Sequence, residues 1–253
     1  MRPLEGRVVL VTRPADQAGE LVELLEERGA TAIPAPTIEI VPAGSKALER
    51  ALSELAAGGF EWLVLTSRAG VDALSARMSS GEARAGIAAV GDGTADALRA
   101  WGFEPDLVPR TFTTEALGRA MPRGSGRVLL ARADIASVGL EDALKAKGWT
   151  PVRVDAYRTR MPRSLPPEAR AALRQGLADA VTFTSASTVR GFVRAVGVVR
   201  GNPKVVCIGP VTSRAAREAG LRVAAVARPH TIEGLVAALE RVFTPRARRK
   251  VRT

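Results

Sequence analysis

The sequence predicts an α/β protein built as two parallel-sheet lobes that descend from an internal duplication. Three observations predict it: short β-branched runs alternate with segments of helical period, the junctions between them are short, and residues 62–117 recur about 118 positions later. Strands alternating with helices through short loops make parallel sheets covered on both faces. In the recurrence, Thr66, Ser67 and Val71 return as Thr184, Ser185 and Val189, and Gly91, Thr94, Arg99 and Gly102 return as Gly209, Thr212, Arg217 and Gly220. Glu115 and Leu117 return as Glu233 and Leu235, and the start of the chain joins at an offset of 120, Gly6, Arg7, Val8 and Leu10 matching Gly126, Arg127, Val128 and Leu130. A solenoid repeats every roughly 20–50 residues. A period this long marks a duplicated domain, and two related lobes are expected to form one cleft.

The run RVVLVT leads into Ala18, Leu21, Val22 and Leu25, spaced i, i+3, i+4, i+7 as an amphipathic helix requires, and Gly29 ends it. WLVLT precedes a helix near Gly70–Met78, and GIAAVG precedes one near Thr94–Trp101 that stops at Gly102. RVLLAR precedes a helix near Val138–Lys147 with Gly148 as its stop, while AVTFT and KVVCIG each lead into another, the second ending at Gly220. Two proline-flanked, polar-alternating stretches, 34–44 and 151–162, interrupt the rhythm and are expected as exposed ribbons or linkers.

Composition narrows the class of function. At 253 residues, with 46% hydrophobic and 25% charged residues, the chain reads as a globular protein of two domains. No apolar run approaches the ~18 residues that a membrane span needs. The one cysteine, Cys207, excludes an internal disulfide and fits a reducing cytoplasm; its place in KVVCIG makes it a buried strand residue. The net charge is +11, of which Arg246, Arg248, Arg249, Lys250 and Arg252 in the last ten residues supply five, leaving about +6 on the body. That surplus favours an anionic ligand. With aromatic residues at 4%, no stacking platform for nucleic acid is visible.

The chemistry is expected in the loops TSRAG, GDGT, TSAST and GPVT, which follow strands and open helices. In parallel sheets such loops gather at the carboxyl ends of the strands, where ligands bind. Helix N-termini offer unpaired N–H groups and a positive dipole to a carboxylate or phosphate. Ser and Thr are also simply good helix caps, and each loop taken singly reads that way. GDGTAD matches only half of a dinucleotide fingerprint, because Asp96 stands where a small residue belongs. With His230 the only histidine and Cys207 the only cysteine, neither a zinc site nor a Cys–His pair has its ligands. His230 reads as a loop residue beside a helix start.

These loops, with RVVLVTRP, LVLTSRAGVDAL, AAVGDGTADALRAWGF, VDAYRT, AVTFTSASTVRGF, VVCIGPVTSRAAREAGL and TIEGLVAAL, resemble the uroporphyrinogen-III synthase family over about residues 5–243. The last two segments, in that order and spacing, are the specific part of the likeness. The resemblance implies flavodoxin-like or Rossmann-like lobes joined by a two-stranded linker, the first strand–helix unit crossing to pack with the C-terminal half. Lobe 1 is then expected at 1–36 plus 161–243, lobe 2 at 43–151, the linker strands at 37–42 and 152–160, and a disordered basic tail at 244–253.

The family likeness further implies a cytoplasmic, cofactor-independent hydro-lyase with no metal. It closes hydroxymethylbilane to uroporphyrinogen III, inverting the last pyrrole ring and losing water. Tyr157 occupies the place of the family's tyrosine, expected to help the terminal hydroxyl leave as water. An azafulvene-like cation remains and proceeds through a spiro intermediate. Ser67, Thr94, Ser185, Ser187 and Thr212 match the hydroxyl positions expected to bind the substrate's carboxylates, and Arg13 is a further anion contact. Two positions depart from the family pattern: Ala69, where many members have Asn, and Val211, where a second Thr is common. The expected partner is a tetrapyrrole rich in carboxylates, not a membrane or nucleic acid. A monomer is expected, in transient contact with the preceding enzyme of the pathway. The alternative readings are a non-catalytic tetrapyrrole-binding or regulatory protein of the same fold, and a two-lobed transferase or sugar-binding protein.

Overall fold

The computed structural model describes residues 2–196 and 203–244; the basic tail beyond Thr244 lies outside them. In chain order the elements begin β1 (Val8–Val11), α1 (Gly19–Glu27), β2 (Thr31–Pro34), β3 (Glu39–Pro42), α2 (Lys46–Ala56), β4 (Trp62–Leu65), α3 (Arg68–Ser75), β5 (Gly86–Ala89), α4 (Asp92–Trp101) and α5 (Thr114–Ala120). They continue β6 (Arg127–Ala133), α6 (Gly139–Lys145), β7 (Thr150–Arg160), α7 (Pro167–Arg174), β8 (Ala180–Phe183), α8 (Ala186–Val196), β9 (Lys204–Cys207), α9 (Pro210–Glu218), β10 (Val223–Val226) and α10 (Ile232–Phe243).

These elements form two compact units. The chain up to Glu39 and the chain from Arg160 onward make the first, and Ile40–Thr159 makes the second. The first holds a five-stranded sheet in the order β10-β9-β8-β1-β2, parallel throughout. The second sheet runs β3-β7-β6-β4-β5, with β7, β6, β4 and β5 parallel. The duplication is visible in these orders. β4 and β5 of the second sheet correspond to β8 and β9 of the first, and β6 and β7 correspond to β1 and β2. The opening β1–α1–β2 piece therefore pairs with strands from the end of the chain, as the family likeness implies.

The strands are short apolar runs because both faces are covered. All four residues of β8 are buried, as are Leu63, Val64 and Leu65 of β4. The first unit packs Leu10, Val181, Phe183, Phe192 and Cys207 on one face of its sheet. It packs Val9, Val11, Leu21, Leu25 and Leu235 on the other. Helix stops recur with the repeat: Gly102 ends α4 at φ 95° and Gly220 follows α9 at φ 78°, a left-handed conformation that glycine adopts without steric cost.

Two sequence expectations change. The stretch 151–162 is for most of its length a strand inside the second sheet, paired to β6 from Thr150 to Tyr157, and its Val154, Ala156 and Tyr157 are buried. Its alternating polar residues reflect a strand with one half-exposed side, not an exposed ribbon. Helix α2, absent from the element-by-element reading, carries the same signal as the others: Ser45 accepts from Leu48 N–H as its cap, and Leu48, Ala51, Leu52 and Leu55 form its buried stripe.

Burial within β9 pushes the Cys207 thiol up to about 12, against about 8.5 in an unfolded chain. This group's contribution to stability is complete below about pH 8.5 and is lost as pH rises toward about 12. A thiol-reactive dye at about pH 8 should label Cys207 only as the first unit opens, with a rate that climbs with added denaturant; rapid labelling of the native protein would contradict this placement. A second outcome concerns the approach of α8 to the chain after β2. A methyl group on Gly191 would stand 2.0 Å from the Thr37 carbonyl oxygen. Gly191→Ala should cost about 1–3 kcal/mol, read as a lower denaturation midpoint.

Candidate active site

Both copies of the strand–helix repeat place hydroxyls where a parallel sheet presents them, at the carboxyl ends of its strands. In the second unit, Ser67 follows β4 and caps α3, its Oγ accepting from the Gly70 N–H at 3.1 Å. The same Oγ lies 2.9 Å from the Tyr157 hydroxyl, 90 positions later in the chain. Tyr157 is brought there by a slip in the β6–β7 register: Arg132 pairs with Asp155 but Ala133 pairs with Tyr157, leaving Ala156 as an extra residue. Side chains in a regular strand alternate between faces, so Tyr157 would otherwise share the half-exposed side of Asp155. The slip puts consecutive Ala156 and Tyr157 into the same core as Leu65, Ala69 and Val71.

Tyr157 is 8% exposed. Burial pushes its phenol above the usual tyrosine range; the Ser67 hydrogen bond and the Arg132 charge oppose that, and Asp134 adds to it. The group is therefore a neutral phenol near neutral pH, suited to giving a proton and not to taking one.

Arg132, which the sequence reading did not single out, is 2% exposed. Its guanidinium donates to Glu141 Oε2 at 2.8 Å and to the Ser137 carbonyl at 2.7 Å. Arg153 stands 3.5 Å from the other oxygen of Glu141 and donates to the carbonyls of Ala133, Asp134 and Ala136. The two arginines and Glu141 thus tie down the loop after β6. The Thr159 N–H on β7 donates to Asp134 Oδ1 at 3.0 Å and closes the same loop against the tyrosine strand. In the sequence, Arg132 looks like the first charge after an apolar run. Only the pairing of Glu141 from α6 shows it to be buried.

The equivalent loop of the first unit is built from two serines and a threonine. Ser185 Oγ accepts from the Thr188 N–H at 3.2 Å and lies 2.9 Å from Ser187 Oγ, while Thr188 Oγ1 donates to the Ser185 carbonyl at 2.8 Å. Capping thus describes Ser67 and Ser185. It does not describe Thr94 or Thr212, because the caps of α4 and α9 are Gly91 and Gly209, with no side-chain cap. Both threonines are buried, at 5% and 4% exposure. Arg13 follows β1 and is partly buried. The structure therefore joins Ser67 to Tyr157 and Ser185 to Ser187, and sets Thr94, Thr212 and Arg13 each on its own loop. Val211 is 47% exposed and Ala69 lies in the core of the second unit. A cavity of about 590 Å³ in the first unit is lined by Ser213, Arg214, Arg217, Arg228 and His230 among others. His230 Nδ1 meets the Ala227 carbonyl at 2.8 Å beside the Thr231 cap of α10. Among the described residues no group of three or more His, Cys, Asp or Glu side chains could hold a metal ion, and no helix is long and apolar enough to cross a membrane.

Comparison with known proteins adds to this geometry. A family model described as "Uroporphyrinogen-III synthase HemD" matches residues 19–237. The chain is similar to the uroporphyrinogen-III synthase of Synechococcus elongatus, at 33% identity over 94% of this chain and 96% of that one. It is also similar to the porphyrin biosynthesis protein HemD of Ruminiclostridium josui, at 33% identity over 93% of this chain, though it spans only 48% of that longer protein. In fold it is similar to a crystal structure of a mutant uroporphyrinogen III synthase from Thermus thermophilus, with a TM-score of 0.69 and 22% identity over 93% of this chain and 98% of that one.

Removing one partner of a buried ion pair leaves an uncompensated charge, at a cost of about 3–5 kcal/mol. Glu141→Ala should therefore destabilise the second unit by about that amount in a denaturant titration. A loss under about 1 kcal/mol would show Arg132 to be hydrated in solution.

Proposed function

The chain belongs to the uroporphyrinogen-III synthase family, the cyclising hydro-lyases of porphyrin biosynthesis, and from that premise we propose that Tyr157 is the proton donor for loss of the terminal hydroxyl of hydroxymethylbilane. The observation that carries this reading is the buried Tyr157 hydroxyl at 2.9 Å from Ser67 Oγ, at the start of α3. The phenol is held neutral by burial, and it lies within β7 beside Ala133, the last residue of β6, at the end of the sheet where parallel strands present ligands. Protonation lets the hydroxyl leave as water and the pyrrole nitrogen take up the positive charge as an azafulvene-like cation. A carbon of the same substrate then attacks that cation, the last ring is inverted, and uroporphyrinogen III results. Folding a flexible chain so that its ends meet is the protein's other contribution, since proximity alone removes much of such a barrier.

Thr94 in the second unit, with Arg13, Ser185, Ser187 and Thr212 in the first, are assigned to the substrate's carboxylates, and Ser67 is the hydroxyl in contact with the phenol. Hydroxyls at helix starts in both copies of the repeat support the assignment, as does the positive balance of the chain. The same reading takes the protein as a cytoplasmic monomer, without a cofactor, in transient contact with the enzyme that supplies hydroxymethylbilane. The single cysteine, Cys207, is what supports a reducing compartment.

The deciding experiment is incubation with hydroxymethylbilane followed by separation of the product isomers. Uncatalysed closure gives the type I isomer, without inversion. Production of the type III isomer is expected, and a product that stays type I would overturn the reading. A positioned acid contributes about 10²–10⁴-fold, and part of the barrier remains covered by substrate folding. Tyr157→Phe should therefore fold, bind product and lose at least ~10-fold in turnover. Thr212→Ala should instead weaken substrate binding more than the chemical step.

A further inference from the structure

Ser67 is already committed before any ligand arrives. Its Oγ accepts the Gly70 N–H at 3.1 Å and lies 2.9 Å from Tyr157 Oη. A hydroxyl offers one proton and two acceptor sites. If the phenol donated to Ser67, its proton would be turned away from the substrate and both acceptor sites of the serine would be filled. If the serine donates, the phenolic proton is free. We propose that Ser67 is a positioning residue of the reaction, which donates its proton to Tyr157 Oη, leaves the phenolic proton for the departing hydroxyl, and holds the phenolate that results. This rests on Tyr157 being the proton donor, and it replaces the carboxylate-binding role expected of Ser67. A serine whose proton is given to the phenol has none to give a carboxylate.

The step balances. The C–O bond of the terminal hydroxymethyl group breaks, its electron pair leaves with oxygen, and oxygen takes the Tyr157 proton and departs as water. The pyrrole carries the positive charge and the phenolate the negative one. The ring carbon that forms the new C–C bond later loses a proton as its ring regains aromaticity, and that proton restores the phenol. The substrate loses OH and H, and the protein is unchanged.

Three features of the second unit hold a phenolate at this place. The Gly70 N–H and the positive end of α3 draw electron density from Ser67 Oγ, which strengthens it as a donor. The buried Arg132 guanidinium, fixed by Glu141 and the Ser137 carbonyl, lies on the neighbouring strand. Its Nε has no hydrogen-bond partner among the described residues, so its charge is not fully taken up by Glu141. Both the Ser67 hydrogen bond and the Arg132 charge act on the phenol against burial and against the nearby Asp134 carboxylate, which push it up. The duplicated position makes the contrast. Ser185 has the same cap geometry, but its hydroxyl meets Ser187 instead of a phenol.

Tyr157 is the only tyrosine in the chain, so the tyrosinate absorbance of the intact protein titrates this group alone. Ser67→Ala should shift that titration to higher pH. It should also lower kcat at least ~5-fold, within the range of a positioned proton donor, while KM changes less than ~2-fold. Ser67→Thr should restore both. In a Tyr157→Phe background Ser67→Ala should add nothing, because the serine acts through the phenol. Ser67→Gly serves if the alanine variant fails to fold, since glycine caps a helix nearly as well as serine while lacking the hydroxyl. A raised KM with kcat and the tyrosinate titration unmoved would make Ser67 a carboxylate ligand and overturn the proposal. So would full additivity with Tyr157→Phe. If Tyr157→Phe alone keeps wild-type turnover, the proton-donor reading fails and this proposal with it. If that variant is impaired but the titration ignores Ser67, only this proposal falls.

Discussion

The structure depends on strands from distant parts of the chain lying parallel to one another. β1 is hydrogen-bonded to β2 on one side and to β8 on the other, and without β8 the first unit has no central strand. The junction is reinforced by polar groups that a buried sheet must satisfy. Arg7 pairs with Asp179 at 2.9 Å, 172 positions away, and the same carboxylate accepts the Val8 N–H. Thr12 and Thr182 donate across the pair to each other's strand. β6 plays the same part in the second unit, between β7 and β4. Parallel direction then puts every strand-to-helix loop at one edge of its sheet. Hydroxyls far apart in sequence, such as Ser67 and Tyr157, can therefore meet.

The second unit accepts an unfavourable environment at that edge. A buried arginine and glutamate are costly to desolvate, and so is a phenol whose hydroxyl must find a partner. Glu141 pairs with Arg132 and stands near Arg153, and both arginines donate to carbonyls of the loop after β6, while Arg132 Nε has no hydrogen-bond partner among the described residues. The result is a rigid floor beside Tyr157. Rigidity suits a group that must hold its proton in one direction, because a donor displaced by an ångström loses much of its effect.

Much of the architecture could be read from the chain. β1, β4, β5, β6, β8 and β9 stand where short apolar runs announce them, and Gly102 and Gly220 stop their helices as expected. The crossing of β1 to β8 came from the family likeness, not from periodicity, since nothing local in RVVLVT says which strand will lie beside it. The contact between Ser67 and Tyr157 was not legible either. It depends on the one-residue slip at Ala156, and a slip is a property of two strands together. Arg132 was hidden for the same reason: the acid that buries it lies in α6, and an arginine after an apolar run otherwise resembles a solvated end. The hydroxyl loops themselves were legible as a class. Which of their hydroxyls cap a helix and which are buried beyond the cap was decided by packing.

The nesting of one unit within the other also sets an order in time. Synthesis proceeds at roughly 5–20 residues per second, so Asp179 appears roughly 10–30 s after Arg7. Ile40–Thr159 is complete during that interval and can close its own sheet. β1 and β2 must meanwhile wait, with Val9, Leu10 and Val11, all fully buried in the finished protein, exposed along one open edge. Nascent chains that stall before β8 would carry one finished unit and one sticky strand pair. The segment from β8 onward therefore governs how long β1 and β2 stay vulnerable to aggregation.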